Sequence, residues 1–147
     1  MLKDLLTPDV IQLIDRVEDW RSAVAVSCQP LIDNHAIEPR YLEAIYRSHQ
    51  AIGPYYVIGP GIAMPHARPE EGVNRQALSL TVIRNGVDFA AGENDPVRLL
   101  VVLAAADSHS HIDTISQLAA LFDNSADTAA IMQANSPQEI LAIVARY

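Results

Sequence analysis

The first feature of this sequence able to do chemistry is a histidine in a loop braced by glycines and prolines. His66 sits in the run Gly59-Pro60-Gly61-Ile62-Ala63-Met64-Pro65-His66-Ala67-Arg68-Pro69-Glu70-Glu71-Gly72. Three glycines and three prolines there hold an irregular backbone, and loops that present a titratable group are where function concentrates. Near neutral pH an uncharged imidazole offers a ring-nitrogen lone pair that can attack phosphorus. A histidine merely hydrogen-bonded in a tight loop fits the same residues. Arg68 can make a charge-assisted fork to a phosphoryl group or to a carboxylate on a partner. It can equally order the loop or form a surface ion pair. Glu70 and Glu71 are expected in solvent.

The remaining reactive side chains give weaker signals. His109 and His111 resemble half of a metal site, and a metal-dependent hydrolase built on His66, His109 and His111 is the reading they would support. No cysteine or His/Glu partner lies at ligand spacing, and residues two apart on a helix face different ways, so neither a metal nor another cofactor is expected. His35 and His49 belong to no motif and are expected at the surface. Cys28 is the only cysteine, which excludes an intramolecular disulfide. It falls on an apolar helix face, so a core position is expected. Trp20 and the Tyr55-Tyr56 pair are expected to pack rather than to stack on a ligand.

Composition limits the classes of function. Half of the 147 residues are hydrophobic, enough for one domain with its own core and no metal or disulfide staple. The net charge is −8, the wrong sign for neutralising nucleic-acid phosphates; it permits steering toward a basic partner. The longest apolar run, Leu99 to Ala106, is far shorter than the roughly 20 residues that span a bilayer. Met1-Leu2-Lys3-Asp4 does not open a signal segment. A soluble protein of the cytoplasm is expected, with no membrane insertion.

Several elements must position the histidine loop. Val10 to Val17 contains a short strand candidate. Asp19 caps a helix from Trp20 toward Asn34, with Pro30 as a kink or early stop. Pro39 opens a second helix that reaches about Gln50. Tyr55 to Ile58 and Ile62 to Met64 read as short extended pieces on either side of the Gly59-Pro60-Gly61 break. Gln76 to Arg84, Asn85-Gly86 and Val87 to Phe89 read as strand, hairpin turn and return strand. Val97 to Ala105 reads as a central strand covered on both faces. A helix capped by Asp107 or Ser108 is predicted to reach Phe122, with Ile112, Ile115, Leu118, Ala119 and Phe122 at helical spacing. A short helix over Ala126 to Gln133 follows. The last helix carries Ser136 as cap, Pro137 in its first turn and Glu139 closing a capping box. Helices flanking a strand-rich middle predict a single α/β domain over residues 1–147, a three-layer α/β/α arrangement with a mixed parallel/antiparallel sheet.

The stretch Pro54 to Gly72, above all Gly61-Ile62-Ala63-Met64-Pro65-His66, resembles the active-site signature of phosphotransferase-system enzyme IIA, mannitol/fructose type (type 2). Gly53-Pro54-Tyr55-Tyr56 followed by Pro65-His66-Ala67-Arg68-Pro69-Glu70 is most similar to the L-ascorbate-type branch. The resemblance extends through Asn94-Asp95-Pro96-Val97 and the Asp107-to-Leu121 segment. It implies a phosphotransferase: a carrier phosphorylated on Nε2 of His66 by the histidine phosphocarrier protein. The group would pass to a cysteine of enzyme IIB, which serves the membrane-embedded enzyme IIC, for uptake of L-ascorbate, a pentitol or another carbohydrate. Related nitrogen-type enzymes IIA imply the alternative, a regulator that signals through its phosphorylation state and partner binding.

The resemblance further implies that His111, forty-five positions after His66, is a second histidine lying beside the first. It would donate to a phosphoryl oxygen or fix the His66 ring. Placed in the first turn of a helix, it would also benefit from N–H groups that favour an anion by about 0.3–1 kcal/mol each. Mannitol-type members carry a glutamate six positions before the active histidine and an arginine sixteen before it. Pro60 and Gln50 stand there in this chain, and Arg47 is out of register. Arg68 is the substitute inferred from the residues themselves. An apolar rim for docking is expected from Gly59, Pro60, Gly61, Ile62 and Met64.

Overall fold

The computed structural model describes residues 1–107, 109 and 111–147. Its centre is a five-stranded sheet of β1 (Ile11–Ile14), β2 (Val57–Gly59), β3 (Ile62–Ala63), β4 (Ala77–Val87) and β5 (Val97–Ala104). The spatial order is β1-β4-β5-β3-β2. β1 runs parallel to β4 and β3 parallel to β5, whereas β4/β5 and β2/β3 are antiparallel. The sheet is therefore mixed, and the apolar run of β5 lies in its middle with seven of its eight residues buried. The helices are α1 (Leu2–Leu5), α2 (Trp20–Asp33), α3 (Pro39–Ile52), α4 (Ile112–Asp123), α5 (Ser125–Met132) and α6 (Pro137–Val144).

Strand periodicity puts the helices on both faces. Ser79 donates its hydroxyl to the Ser27 carbonyl of α2 at 2.7 Å. Gln76, an odd number of positions away, donates to the Thr114 hydroxyl of α4 at 2.8 Å. Continued to Gln76, the residue just before β4, the alternation of strand faces puts α4 on the side of the sheet opposite α2.

Several local expectations meet their residues. Asp19 accepts the Ser22 N–H at 2.9 Å and starts α2 where its side chain predicts. Pro39 opens α3. Ser136 accepts the Glu139 N–H at 3.2 Å, while the Glu139 carboxylate takes the Asn135 N–H, one residue before the cap. Cys28 is fully buried, and desolvation pushes its thiol up to about 12, which keeps it protonated and inert.

Pro30 neither stops nor ends α2, which continues to Asp33. A proline there deprives the Val26 carbonyl of its helical donor. Gln12 of β1 supplies the replacement, its side-chain N–H donating to Val26 O at 2.8 Å.

Asn85-Gly86 is not a hairpin turn. β4 runs through it to Val87, and the true return strand is β5, with Val87 opposite Val97. The register shifts between Val82 and Val87, so the extra residues form a bulge. Gly86 takes φ +70° there, and a Cβ would lie 2.8 Å from Pro96 Cβ. The Asn85 backbone and side-chain amides both donate to the Asp15 carbonyl. The Asn-Gly pair thus meets a left-handed requirement, but inside a strand.

The helix expected from Asp107 or Ser108 begins only at Ile112, with His111 at its N-cap position. Asp107 spends its carboxylate on the His109 N–H at 2.8 Å; Ser108 lies outside the described residues. Ile112 and Ile115, expected on the apolar stripe, are 56% and 37% exposed.

His49 is not at the surface. It is buried, stacked on Trp20 with ring centroids 3.7 Å apart, and its Nδ1 lies 2.7 Å from the Tyr56 hydroxyl. Burial, then the nearby Arg21 cation, hold this imidazole below the usual 6.5. The unfolded chain therefore binds a proton that the native state refuses, and stability falls as pH drops below 6.5 toward the native value. Urea midpoints measured against pH check this: His49→Gln should show a shallower acid-side loss than wild type.

Candidate active site

His66 leaves the carboxyl end of β3, and the segment holding Asp107 and His111 leaves the carboxyl end of β5. Because these two strands are parallel neighbours, both segments emerge at the same end of the sheet. There they line one cavity of about 290 Å³. Its polar wall is His66, Arg68, Asp107 and His111; its apolar wall is Met64, Ala67, Pro69, Leu103, Ala105 and Ile115. The three residues expected to act on a phosphoryl group are thus brought together. His109 is exposed and outside the lining. Among the described residues no three His, Cys, Asp or Glu side chains gather where they could hold a metal ion.

The half-buried His66 ring has one nitrogen engaged. Nδ1 lies 2.7 Å from the Met64 carbonyl. A carbonyl only accepts, so Nδ1 carries the proton and the neutral ring has its lone pair on Nε2. The ring also stands edge-on to Tyr55, with centroids 5.4 Å apart and planes at 76°. His111 repeats the pattern, its Nδ1 lying 3.0 Å from the Asp107 carbonyl. Its Nε2 is therefore a donor only when the ring carries both protons. The two rings are held by different backbone carbonyls, Met64 O and Asp107 O.

The backbone beneath His66 is tied down residue by residue. Met64 N–H donates to Tyr56 O at 2.9 Å, and Pro65 O accepts the Leu103 N–H at 3.1 Å. The Tyr55 hydroxyl donates to His66 O. The Tyr41 hydroxyl accepts the Ala67 N–H at 2.9 Å and donates to Leu103 O at 2.7 Å. Burial pushes the phenols of both tyrosines up, which keeps them protonated as donors. Beyond Ala67, Glu71 accepts the Arg68 N–H at 3.2 Å and pairs with Arg47 at 3.4 Å. Gly72 closes the loop with φ +136°; a Cβ there would press to 3.1 Å from Tyr41 Cβ.

Arg68 is exposed and forms no side-chain ion pair among the described residues. Arg47, out of register in the sequence, reaches the loop through Glu71. Of the residues expected to form an apolar rim for docking, Met64 lines the cavity and Ile62 is buried in the core. Tyr41, Tyr55 and Asp107 build the site without belonging to the residues expected there. The only advance signal was the Tyr55-Tyr56 pair within the motif.

The parallel strand pair thus presents His66, with its lone pair on Nε2, to the same cavity as His111 and Arg68. Residues 4–147 match the family described as phosphoenolpyruvate-dependent sugar phosphotransferase system, EIIA 2. The ascorbate-specific PTS system EIIA component of Escherichia coli (strain K12) is 36% identical over 137 residues, covering 92% of this chain and 89% of that protein. The mannitol-specific cryptic phosphotransferase enzyme IIA component of the same strain is 37% identical over 145 residues, covering 99% and 98%. The solution structure of the mannitol-specific cryptic enzyme IIA CmtB from Escherichia coli superposes with a TM-score of 0.91 at 37% identity, over 99% of each chain. The chain belongs to the type-2 enzyme IIA family of the sugar phosphotransferase system. As such it is a phosphotransferase, carrying a phosphoryl group between proteins.

Tyr41→Phe removes the partner of both Ala67 N–H and Leu103 O. It should cost roughly 1–3 kcal/mol in urea unfolding and speed amide exchange at Ala67.

Proposed function

We propose that residues 1–147 work as one cytoplasmic enzyme IIA domain that accepts a phosphoryl group on Nε2 of His66. The donor is the phosphorylated histidine phosphocarrier protein and the acceptor a cysteine of enzyme IIB, which serves the membrane enzyme IIC. The observation that carries the reading is the Nδ1–H bond from His66 to Met64 O. It leaves the nucleophilic lone pair on Nε2, on a ring that lines the same cavity as His111 and Arg68.

In the first transfer, Nε2 attacks phosphorus in line as the donor's N–P bond breaks, and the bonding electrons return to the donor imidazole. Positive charge that develops on the His66 ring is shared with Met64 O through Nδ1–H. His111, carrying both protons, donates from Nε2 to an equatorial oxygen, and Arg68 supplies a second cationic donor. In the second transfer, the partner's thiolate attacks phosphorus and the pair in the Nε2–P bond returns to His66. The apolar wall of Met64, Leu103, Ala105 and Ile115 limits water, the competing acceptor. The matching ascorbate-specific and mannitol-specific relatives support a carbohydrate of that kind as cargo, L-ascorbate or a polyol. No described helix is long and apolar enough to cross a membrane, which suits a carrier working between a cytoplasmic donor and a membrane complex.

Incubation with enzyme I, the histidine phosphocarrier protein and labelled phosphoenolpyruvate should load acid-labile phosphate onto wild type and none onto His66→Ala. Equal loading of the two proteins would refute the assignment. Label should then move to the cysteine of a cognate enzyme IIB; a loaded protein that donates to no enzyme IIB would instead be a regulator. His111→Ala should slow loading about a hundredfold, the lower end of the scale for one lost transition-state hydrogen bond, at an unchanged urea midpoint. Arg68→Gln should slow it by a smaller factor, read in the same assay.

A further inference from the structure

We propose that Tyr55 is a positioning residue for the reaction, setting which nitrogen of His66 meets the phosphoryl group. This rests on the reading that His66 is the acceptor. Tyr55 is not among the residues lining the cavity, so it acts on the reaction through His66. It does so twice: its hydroxyl donates to the His66 carbonyl, and its ring meets the imidazole edge-to-face. The first contact fixes the backbone from which the ring hangs. The second limits the swing of the ring about its own bonds, a geometry aromatic pairs favour.

The need for such a brace follows from the lone Nδ1–H bond. Its acceptor, Met64 O, lies only two residues away on the same loop. A small turn of the backbone at His66 would break it, and the ring would then be free to rotate or to exchange tautomers, presenting Nδ1 or a protonated Nε2 instead. Tyr55 can resist that turn because its own base is rigid. Tyr56 beside it is fully buried, contacts Tyr55 edge-on at 4.9 Å, and lies with its hydroxyl 2.7 Å from His49 Nδ1. His49 is in turn stacked on Trp20. The Tyr56 carbonyl accepts the Met64 N–H. Two consecutive tyrosines thus hold both ends of the Met64–His66 unit, one from the main chain and one from the side chain.

The test uses Tyr55→Phe, which keeps the ring and loses the hydroxyl, and Tyr55→Leu, which loses both contacts. Tyr46→Phe is the control, since that hydroxyl bonds Arg21 O away from the site. Nitrogen-15 chemical shifts of the His66 ring in unphosphorylated protein report the tautomer; kcat and KM for the phosphorylated carrier report transfer. Tyr55→Phe should raise the Nε2–H tautomer and lower kcat about three- to tenfold with KM within about twofold, and Tyr55→Leu should lower kcat further, toward the hundredfold that misplacement of a reacting group can cost. The control should match wild type in both readouts.

Wild-type tautomer and kcat in Tyr55→Phe and Tyr55→Leu would overturn the proposal. So would a lowered thermal midpoint with both unchanged, which marks a purely structural role. If Tyr55→Leu does not fold, Tyr55→Phe alone decides. If wild type takes up no phosphate, it is the acceptor assignment that fails, while the ring-nitrogen measurement still judges whether Tyr55 sets the tautomer.

Discussion

The parallel pairing of β3 with β5 is the constraint on which the site depends. A two-residue strand has little hold of its own, yet it fixes where the histidine loop emerges. Backbone bonds extend its grip at both ends: Gly61 O accepts from Arg98 and Leu99, and Pro65 O from Leu103. With the strands parallel, both chains exit at one end, and residues forty-five positions apart come to line one cavity. An antiparallel arrangement of the same two strands would send the segments to opposite ends of the sheet. The fold's contribution to the chemistry is this shared exit.

Around that exit, polar backbone groups are satisfied by side chains from different elements: Tyr41 from α3, Tyr55 from the segment before β2, and Glu71 from within the loop. Hydrogen bonds to buried backbone cost more to lose than to make, so each tie resists being broken singly. The same logic explains Pro30. A proline inside a helix leaves a carbonyl unserved, and Gln12 from the neighbouring strand serves it. Local irregularity is tolerated where a distant side chain repairs its hydrogen bonding.

That repair is why parts of the structure were legible in the sequence and parts were not. Asp19, Pro39 and Ser136 act on their own helix starts, and their positions could be read directly. The apolar run of β5 announced a buried central strand. His66 could be singled out because Gly and Pro density marks irregular backbone. Asn85-Gly86 misled because its two-residue signature states a need for positive φ without saying whether a turn or a bulge supplies it; Pro96 and Asp15, distant in sequence, decide that. His49 looked featureless because its partners, Trp20 and Tyr56, lie 29 residues before it and 7 after it. Ile112 and Ile115 kept helical spacing, but their helix turns that side outward beside the cavity. The clamp of Tyr41 on Ala67 and Leu103 joins three separate segments and leaves no local mark.

A protein that ferries a group between other proteins is met and left by each of them in every cycle. In this chain the His66 loop has its main chain tied down beforehand, from Met64 to Gly72. An arriving surface therefore freezes few additional torsions and does not have to fold anything. Contact free energy goes into recognition instead of ordering, so a small footprint suffices for a productive encounter.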